Sequence, residues 1–258
     1  MPRFSANLSF LFPELEFLDR FEAARAAGFF AVEFHFPYAF EREALAGVAA
    51  AAGVEVVLFN LPAGDWAGGE RGIACHPDRM AEFQDGVGLA VEWAGLLGCP
   101  RVNCLAGIPP PGVSPAKARE SLLENLRFAA AVLGRAGVEL LMEPLNTRDT
   151  PGFLVSRTRQ GLDLIAEAGC PNLRLQYDVY HAQVMEGDLA GTLERELPSI
   201  GHIQIADNPG RGEPGTGEIN FPFLFAHLDR IGYTGWVGCE YRPTDGRGAA
   251  VEWLAKSR

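Results

Sequence analysis

An eight-stranded β/α barrel, the (β/α)8 or TIM-barrel architecture, is the fold class that these 258 residues predict. Three observations predict it. Short apolar runs rich in β-branched residues alternate with helix-period patterns along the whole chain. Eight such units fit within about 250 residues, the usual length of this barrel. Oxygen-bearing side chains, Glu143, Asp178, Gln204 and Glu240, stand at or near the ends of four successive predicted strands, and in this barrel the strand ends build the functional face. An open doubly wound sheet is the competing arrangement. No linker, low-complexity segment or composition shift divides the chain, so residues 1–258 are expected to form a single domain.

The elements follow in order. Phe4–Ser9 reads as the first strand. Pro13 is expected to open a helix with Leu15, Leu18, Phe21 and Ala24 on one stripe, ending at Gly28. Ala31–Phe34 is the second strand, with a helix over Glu41–Ala52 stopped by Gly53, and Val54–Asn60 is the third. The Gly-rich segment Leu61–Cys75 is longer than an ordinary strand–helix connection, and with Trp66 in it reads either as a lid or as a surface loop. A helix over Pro77–Leu97 leads to the fourth strand, Arg101–Leu105. Ser114 followed by Pro115 is an N-cap with proline at the first helical position, and that helix runs toward Gly134. Val138–Glu143 is the fifth strand, closed by Pro144, which has no N–H for a ladder. A helix over Thr158–Ala168, a strand over Leu173–Asp178 and a helix over Leu189–Leu197 come next. The strand Gly201–Ala206, the helix Pro222–Ile231, the strand Trp236–Glu240 and a final helix Ala249–Lys256 complete the pattern.

Composition narrows the function classes. Hydrophobic residues make up 48% of the chain, enough for a sizeable core. The formal net charge of -11 argues against nucleic acid or a membrane surface as partner. An anionic small substrate remains compatible, because a metal or one arginine can invert the field locally. The N-terminus lacks a signal-peptide apolar core, and no apolar run approaches the roughly 20 residues of a membrane span. Five scattered cysteines without a CxxC pair read as reduced thiols, so the cytoplasm is the expected location. The sequence leaves a homo-oligomer open.

Charged side chains at the exits of buried strands are poorly explained by packing. Side chains alternate along a strand, so Glu143, Asp178 and Glu240 can all point into one small volume. Three carboxylates there repel one another unless a cation sits between them. Hard oxygen donors suit Mg²⁺ or Mn²⁺ rather than zinc, and Gln204 can add a neutral fourth oxygen. Separate salt bridges are the plainer alternative, but only Arg148, Arg211 and Arg242 lie nearby in sequence. His181, three residues after Asp178, can hydrogen-bond a substrate oxygen or ligate the metal. His202 shares the inward face with Gln204 one layer deeper and is expected to support it. His35 can line the pocket. The loop Asn208–Asn220 spells GxGxxG after a strand, but Pro214 interrupts it and no helix follows directly, which excludes the dinucleotide reading. Its glycines instead shape a loop presenting Arg211, whose fork suits a substrate carboxylate.

RFSANLSFLFPEL, MEPLNTR, QYDVYH, GHIQIADNPGRGEPGTGEINFPFLF and GWVGCEYRP together resemble the hydroxypyruvate isomerase family, within the xylose isomerase-like sugar isomerase and epimerase superfamily. The resemblance runs over nearly the whole chain. It implies a xylose isomerase-like barrel that interconverts hydroxypyruvate and tartronate semialdehyde. It implies Glu143 and Glu240 as the proton donor and acceptor, and Glu143, Asp178, Gln204 and Glu240 as ligands of a divalent metal, usually Mg²⁺. His181 and Arg211 match substrate-contacting positions of similar ketose epimerases, which carry His where this chain has Gln204. The implied ligand is a small anionic hydroxy-oxo acid. A 2-oxo-tetronate isomerase and a ketose 3-epimerase are the near alternatives. A non-catalytic sugar-binding barrel and a metal-dependent abasic-site endonuclease are the distant ones, the last disfavoured by the acidic balance and the shortage of placed histidines.

Overall fold

The computed structural model describes residues 1–256; residues 257–258 of the expected domain lie outside the described residues. Eight parallel strands close into a barrel in sequence order: β1 Arg3–Asn7, β2 Ala31–Glu33, β3 Glu55–Asn60, β4 Arg101–Cys104, β5 Glu139–Met142, β6 Leu173–Asp178, β7 Ile200–Ile205 and β8 Trp236–Cys239. Closure comes from β1 pairing with β8, Ala6 opposite Cys239. The register shifts by one residue at two places, between Val32 and Glu33 on β2 and between Leu175 and Gln176 on β6. Such irregularities turn side chains away from the regular alternation.

Helices α1 Arg20–Ala26, α2 Arg42–Ala52, α3 Met80–Leu97, α4 Pro115–Arg135, α5 Thr158–Ala168, α6 Val179–Met185, α7 Leu189–Glu196, α8 Phe221–Arg230 and α9 Glu252–Lys256 surround the strands. The main apolar core lies between this shell and the barrel, with Phe21, Phe34, Phe59, Leu122, Leu126 and Phe221 fully buried. Inside the cylinder the filling is different. A small apolar cluster of Ala31, Val57, Leu58 and Leu141 is overlaid by buried polar side chains: Ser5, Asn7, Glu33, Asn103, Gln176, His202 and Gln204. Buried polar groups cost free energy unless paired, so their pairing matters for everything above them.

Ser114 caps α4 by accepting the Lys117 N–H at 3.2 Å, with Pro115 at the first helical position, as expected. Gly53 ends α2 at φ 66°, a left-handed conformation that suits glycine. Three segments depart from expectation. The helix expected from Pro13 begins as a single tight turn at Phe17–Asp19 and becomes α1 only at Arg20, because the Arg20 guanidinium binds the Leu8 and Leu15 carbonyls outside a helical ladder. The final helix starts at Glu252 rather than Ala249, after a left-handed Ala250 at φ 42°. Helix α6 was not expected at all. It begins directly at the end of β6, where the Asp178 carboxylate accepts the N–H groups of Tyr180 at 2.7 Å and His181 at 3.4 Å. Among the described residues, no helix is long and apolar enough to cross a membrane.

Candidate functional site

The strand ends open into a pocket of about 1000 Å³ lined by Glu143, His181, Arg211 and Glu240. Asp178 closes β6, while Glu143 and Glu240 stand one residue past the ladders of β5 and β8. All three carboxylates are buried, at 4%, 3% and 4% exposure; Asp178 and Glu240 share Arg211, and Glu240 lies outside the metal-capable grouping that Glu143 and Asp178 enter. One oxygen of Glu143, one of Asp178 and a ring nitrogen of His181 lie within 4.8 Å of one another, a grouping that could hold a metal ion.

Each member has a distinct environment. Glu143 Oε2 accepts from Asn103 Nδ2 at 3.1 Å, while its Oε1 is buried without a hydrogen-bond partner among the described residues. Burial first, and the neighbouring Glu240 and Asp178 charges second, hold the Glu143 carboxyl well above the usual range. Burial also pushes Asp178 up to about 7 against the pull of Arg211. Glu240 goes the other way. Burial alone would raise it, but Arg211 and His35 together bring it down to about 2. The contacts explain this: Arg211 Nη2 donates to Glu240 Oε2 at 2.7 Å, and His35 Nε2 lies 2.9 Å from Glu240 Oε1.

Arg211 also reaches Asp178 Oδ2 at 3.4 Å, so its guanidinium joins two of the carboxylates in this structure. The salt bridges to arginine weighed in the sequence as the plainer alternative to a metal are thus present for Asp178 and Glu240, while among the described residues Glu143 pairs with no Arg or Lys. Arg211 sits at φ 57°, with its guanidinium over the rings of Phe10 and Tyr180. The loop that carries it is built around Asp207. That carboxylate accepts the backbone N–H groups of Asn208, Gly215, Gly217 and Ile219 at 2.8–3.0 Å. Helix α8 follows only at Phe221, capped by Asn220, in keeping with the rejected nucleotide motif.

His181 Nδ1 faces two donors, the Asn146 backbone N–H at 3.1 Å and Asn146 Nδ2 at 2.7 Å. Nδ1 must therefore accept, which leaves the ring proton on Nε2, 3.6 Å from Asp178 Oδ2 and 3.9 Å from Glu143 Oε1. Burial, then Arg211, lowers its pKa to about 3, so the ring is neutral. Of its two sequence readings, this tautomer suits a hydrogen-bond donor rather than a metal ligand.

Gln204 is 2% exposed and its amide is engaged at both ends: Oε1 accepts from Gln176 Nε2 at 2.6 Å and Nε2 donates to Glu33 Oε1 at 2.7 Å. His202 reaches Gln204 only through Glu33, at 2.8 Å from Glu33 Oε2. The sequence reading missed Glu33, Asn7, Asn103 and Gln176. One signal was available: Glu33 interrupts the apolar run AVEF, where a charged residue in a short buried strand calls for a partner. The Leu61–Cys75 loop packs down over the pocket. Trp66 makes edge contacts with His35 and Phe36, and Arg71 lies 4.1 Å above its ring.

Comparison with known proteins fits this geometry. The family model described as "Xylose isomerase-like TIM barrel" matches residues 21–257. The chain is 53% identical over 254 residues to the hydroxypyruvate isomerase of Escherichia coli K12, covering 98% of both chains. It is 49% identical over 254 residues to a 2-oxo-tetronate isomerase of Cupriavidus necator, again covering 98% of each. Among solved structures, one titled as an AP endonuclease, family 2, from Brucella melitensis superimposes with a TM-score of 0.96 at 43% identity, over 100% of both chains. On these matches the chain belongs to the xylose isomerase-like TIM barrels and, within them, to the hydroxypyruvate isomerase family, and it is an isomerase.

Proposed function

We propose that the chain is a divalent-metal-dependent aldose–ketose isomerase that interconverts hydroxypyruvate and tartronate semialdehyde by proton transfer through an enediolate. Glu143 is the observation that carries this reading. It is a buried carboxylate with a raised pKa and one unpartnered oxygen, standing beside Asp178 at the floor of the pocket. A general base needs a free oxygen, and a raised pKa makes a carboxylate a stronger base than an ordinary glutamate.

The donor set fits Mg²⁺ or Mn²⁺: hard oxygens dominate it, and the orphaned Glu143 Oε1 lacks a partner that a cation would supply. Glu143, Asp178, Gln204 and Glu240 are the residues that would hold it, and a bound cation would stabilise the negative charge developing on the two substrate oxygens. The rest falls to the chain itself. Of Glu143 and Glu240, one takes the proton from the hydroxyl-bearing carbon; that glutamate, or the other once it has been protonated, returns one to the former carbonyl carbon, while the hydroxyl proton passes to the former carbonyl oxygen. His181 donates from Nε2 to a substrate oxygen. Arg211 turns part of its fork from Asp178 and Glu240 to the substrate carboxylate. Trp66 and its loop limit the entry of water.

A 2-oxo-tetronate isomerase is the second reading, favoured by the Cupriavidus necator relative and by a pocket roomy enough for one more carbon. Purified protein offered hydroxypyruvate, 2-oxo-tetronate and a free ketose separates these readings from each other and from a 3-epimerase. Hydroxypyruvate turnover with solvent deuterium entering the product is expected. No product from any of the three, or cleavage of abasic DNA instead, refutes the proposal. Removing metal with EDTA should abolish turnover and added Mg²⁺ or Mn²⁺ should restore it; full activity in metal-free protein would contradict the metal requirement.

A further inference from the structure

Below the pocket, four donors converge on the fully buried Glu33 carboxylate. Ser5 Oγ lies at 2.9 Å and His202 Nε2 at 2.8 Å from Oε2, with Asn7 Nδ2 at 3.2 Å and Gln204 Nε2 at 2.7 Å from Oε1. Two carboxylate oxygens offer about four acceptor sites and no donor. Glu33 is therefore saturated and can meet only donors. The consequence passes upward. Gln204 must turn its NH₂ toward Glu33, because its carbonyl there would face a charged oxygen. Gln204 Oε1 is then the end that meets Gln176, and at 2.6 Å only the Gln176 NH₂ can face it. Gln176 Oε1 is left as the free end of the chain, buried without a partner on a side chain that lines the pocket and is 1% exposed. Glu33 and Gln176 stand beside the two register shifts of the barrel, where β3 and β7 each carry one extra residue, Val57 and Gly201.

We propose that Gln176 is a substrate-binding residue whose carbonyl oxygen accepts the substrate's C3 hydroxyl, and that Glu33 is the positioning residue that fixes this polarity through Gln204. A buried amide oxygen without a partner is costly in the empty pocket, and a hydroxyl donor relieves that cost on binding. A ligand lacking the hydroxyl leaves the oxygen unpaired, which is how a polar site discriminates. The inference rests on the hydroxy-oxo acid reading of the same pocket.

The test is calorimetric binding of two inert ligands, glycerate and lactate, to protein freed of metal with EDTA, so that Glu33 alone sets the Gln204 amide; lactate lacks only the C3 hydroxyl. Wild type should bind glycerate about 10-fold more tightly, the size of one recovered hydrogen bond. Gln176→Met should abolish the preference while leaving lactate affinity unchanged. Glu33→Gln, which lets the Gln204 amide reverse, should also abolish it. Adding Gln204→Glu to Glu33→Gln should restore it, since both ends of residue 204 then accept and the Gln176 amide is again held with its oxygen free. Should Glu33→Gln alone not fold, the paired exchange, which keeps one negative charge in the cluster, carries the test by itself. No glycerate preference in wild type, its survival in Gln176→Met, or its absence in the paired exchange overturns the proposal. Hydroxypyruvate turnover by wild type, measured in parallel, distinguishes that outcome from failure of the isomerase reading.

Discussion

Glu143 and Glu240 have the same side chain and opposite environments. Glu143 has one weak donor and two negative neighbours, while Glu240 is held by Arg211 and His35. Burial is common to both, so the neighbours decide the direction of each shift. Replacing either by Gln keeps the shape and removes the proton-transfer function. Glu143→Gln and Glu240→Gln are each expected to lower turnover by at least about 100-fold with an unchanged circular dichroism spectrum, and near wild-type rates in both would remove them from the mechanism. Asp178 gives a pH prediction. Metal binds the deprotonated carboxylate, and Asp178 is pushed up to about 7. Cation binding near pH 6 should therefore release protons, and apparent affinity should climb as pH rises through about 7. Titration calorimetry in buffers of different ionisation enthalpy reads the released protons directly. The same shift fixes the sign for stability. Between about pH 4 and 7 the native metal-free protein binds more protons at Asp178 than the unfolded chain, so this group's contribution is present at the acid end and is lost as pH rises through 7.

At the scale of elements, the loop after β7 is gathered on the Asp207 carboxylate. Four backbone N–H groups end on that carboxylate, and the Arg211 carbonyl is held by Arg242 N–H at 2.8 Å. Asp207→Ala should destabilise the protein by about 3 kcal/mol, since several donors lose a charged acceptor together, and should raise KM by displacing Arg211. Ser114→Ala, by contrast, removes only the α4 cap and should cost about 1 kcal/mol with unaltered kinetics. Urea denaturation with matched steady-state assays tests the pair. The α4 cap, the limits of α5 and the whole of β6 were legible because local chemistry decides them: a Ser–Pro start, a Gly169 stop and the apolar–polar alternation of LRLQYD. Helix α6 was not legible, since in the sequence Asp178 reads as a site residue alone. The same carboxylate caps the helix with one oxygen and meets Arg211 and His181 with the other, and a linear reading offers no cue that one group serves both.

For the whole molecule, barrel closure presses side chains from distant strands into one cylinder with little spare room. Gly238 on β8 shows how little: a Cβ there would stand 2.3 Å from Glu33 Oε1. Gly238→Ala is expected to cost about 1–3 kcal/mol through overpacking, read as a lower urea midpoint, because the carboxylate it would displace is already bound on four sides.

The alternation of strands and helices, the acidic balance and the carboxylates at the strand exits are one-dimensional features. They suffice for the fold class and for most of the candidate site, because hydrophobic periodicity and strand termini are local properties of a chain. The partners of those carboxylates belong to the folded state alone. Arg211 reaches across to Asp178 and Glu240, Asn103 supports Glu143, and Glu33 on the second strand orients Gln204 on the seventh. Such pairings depend on closure of the barrel and on two one-residue register shifts, and neither leaves a mark in composition or spacing.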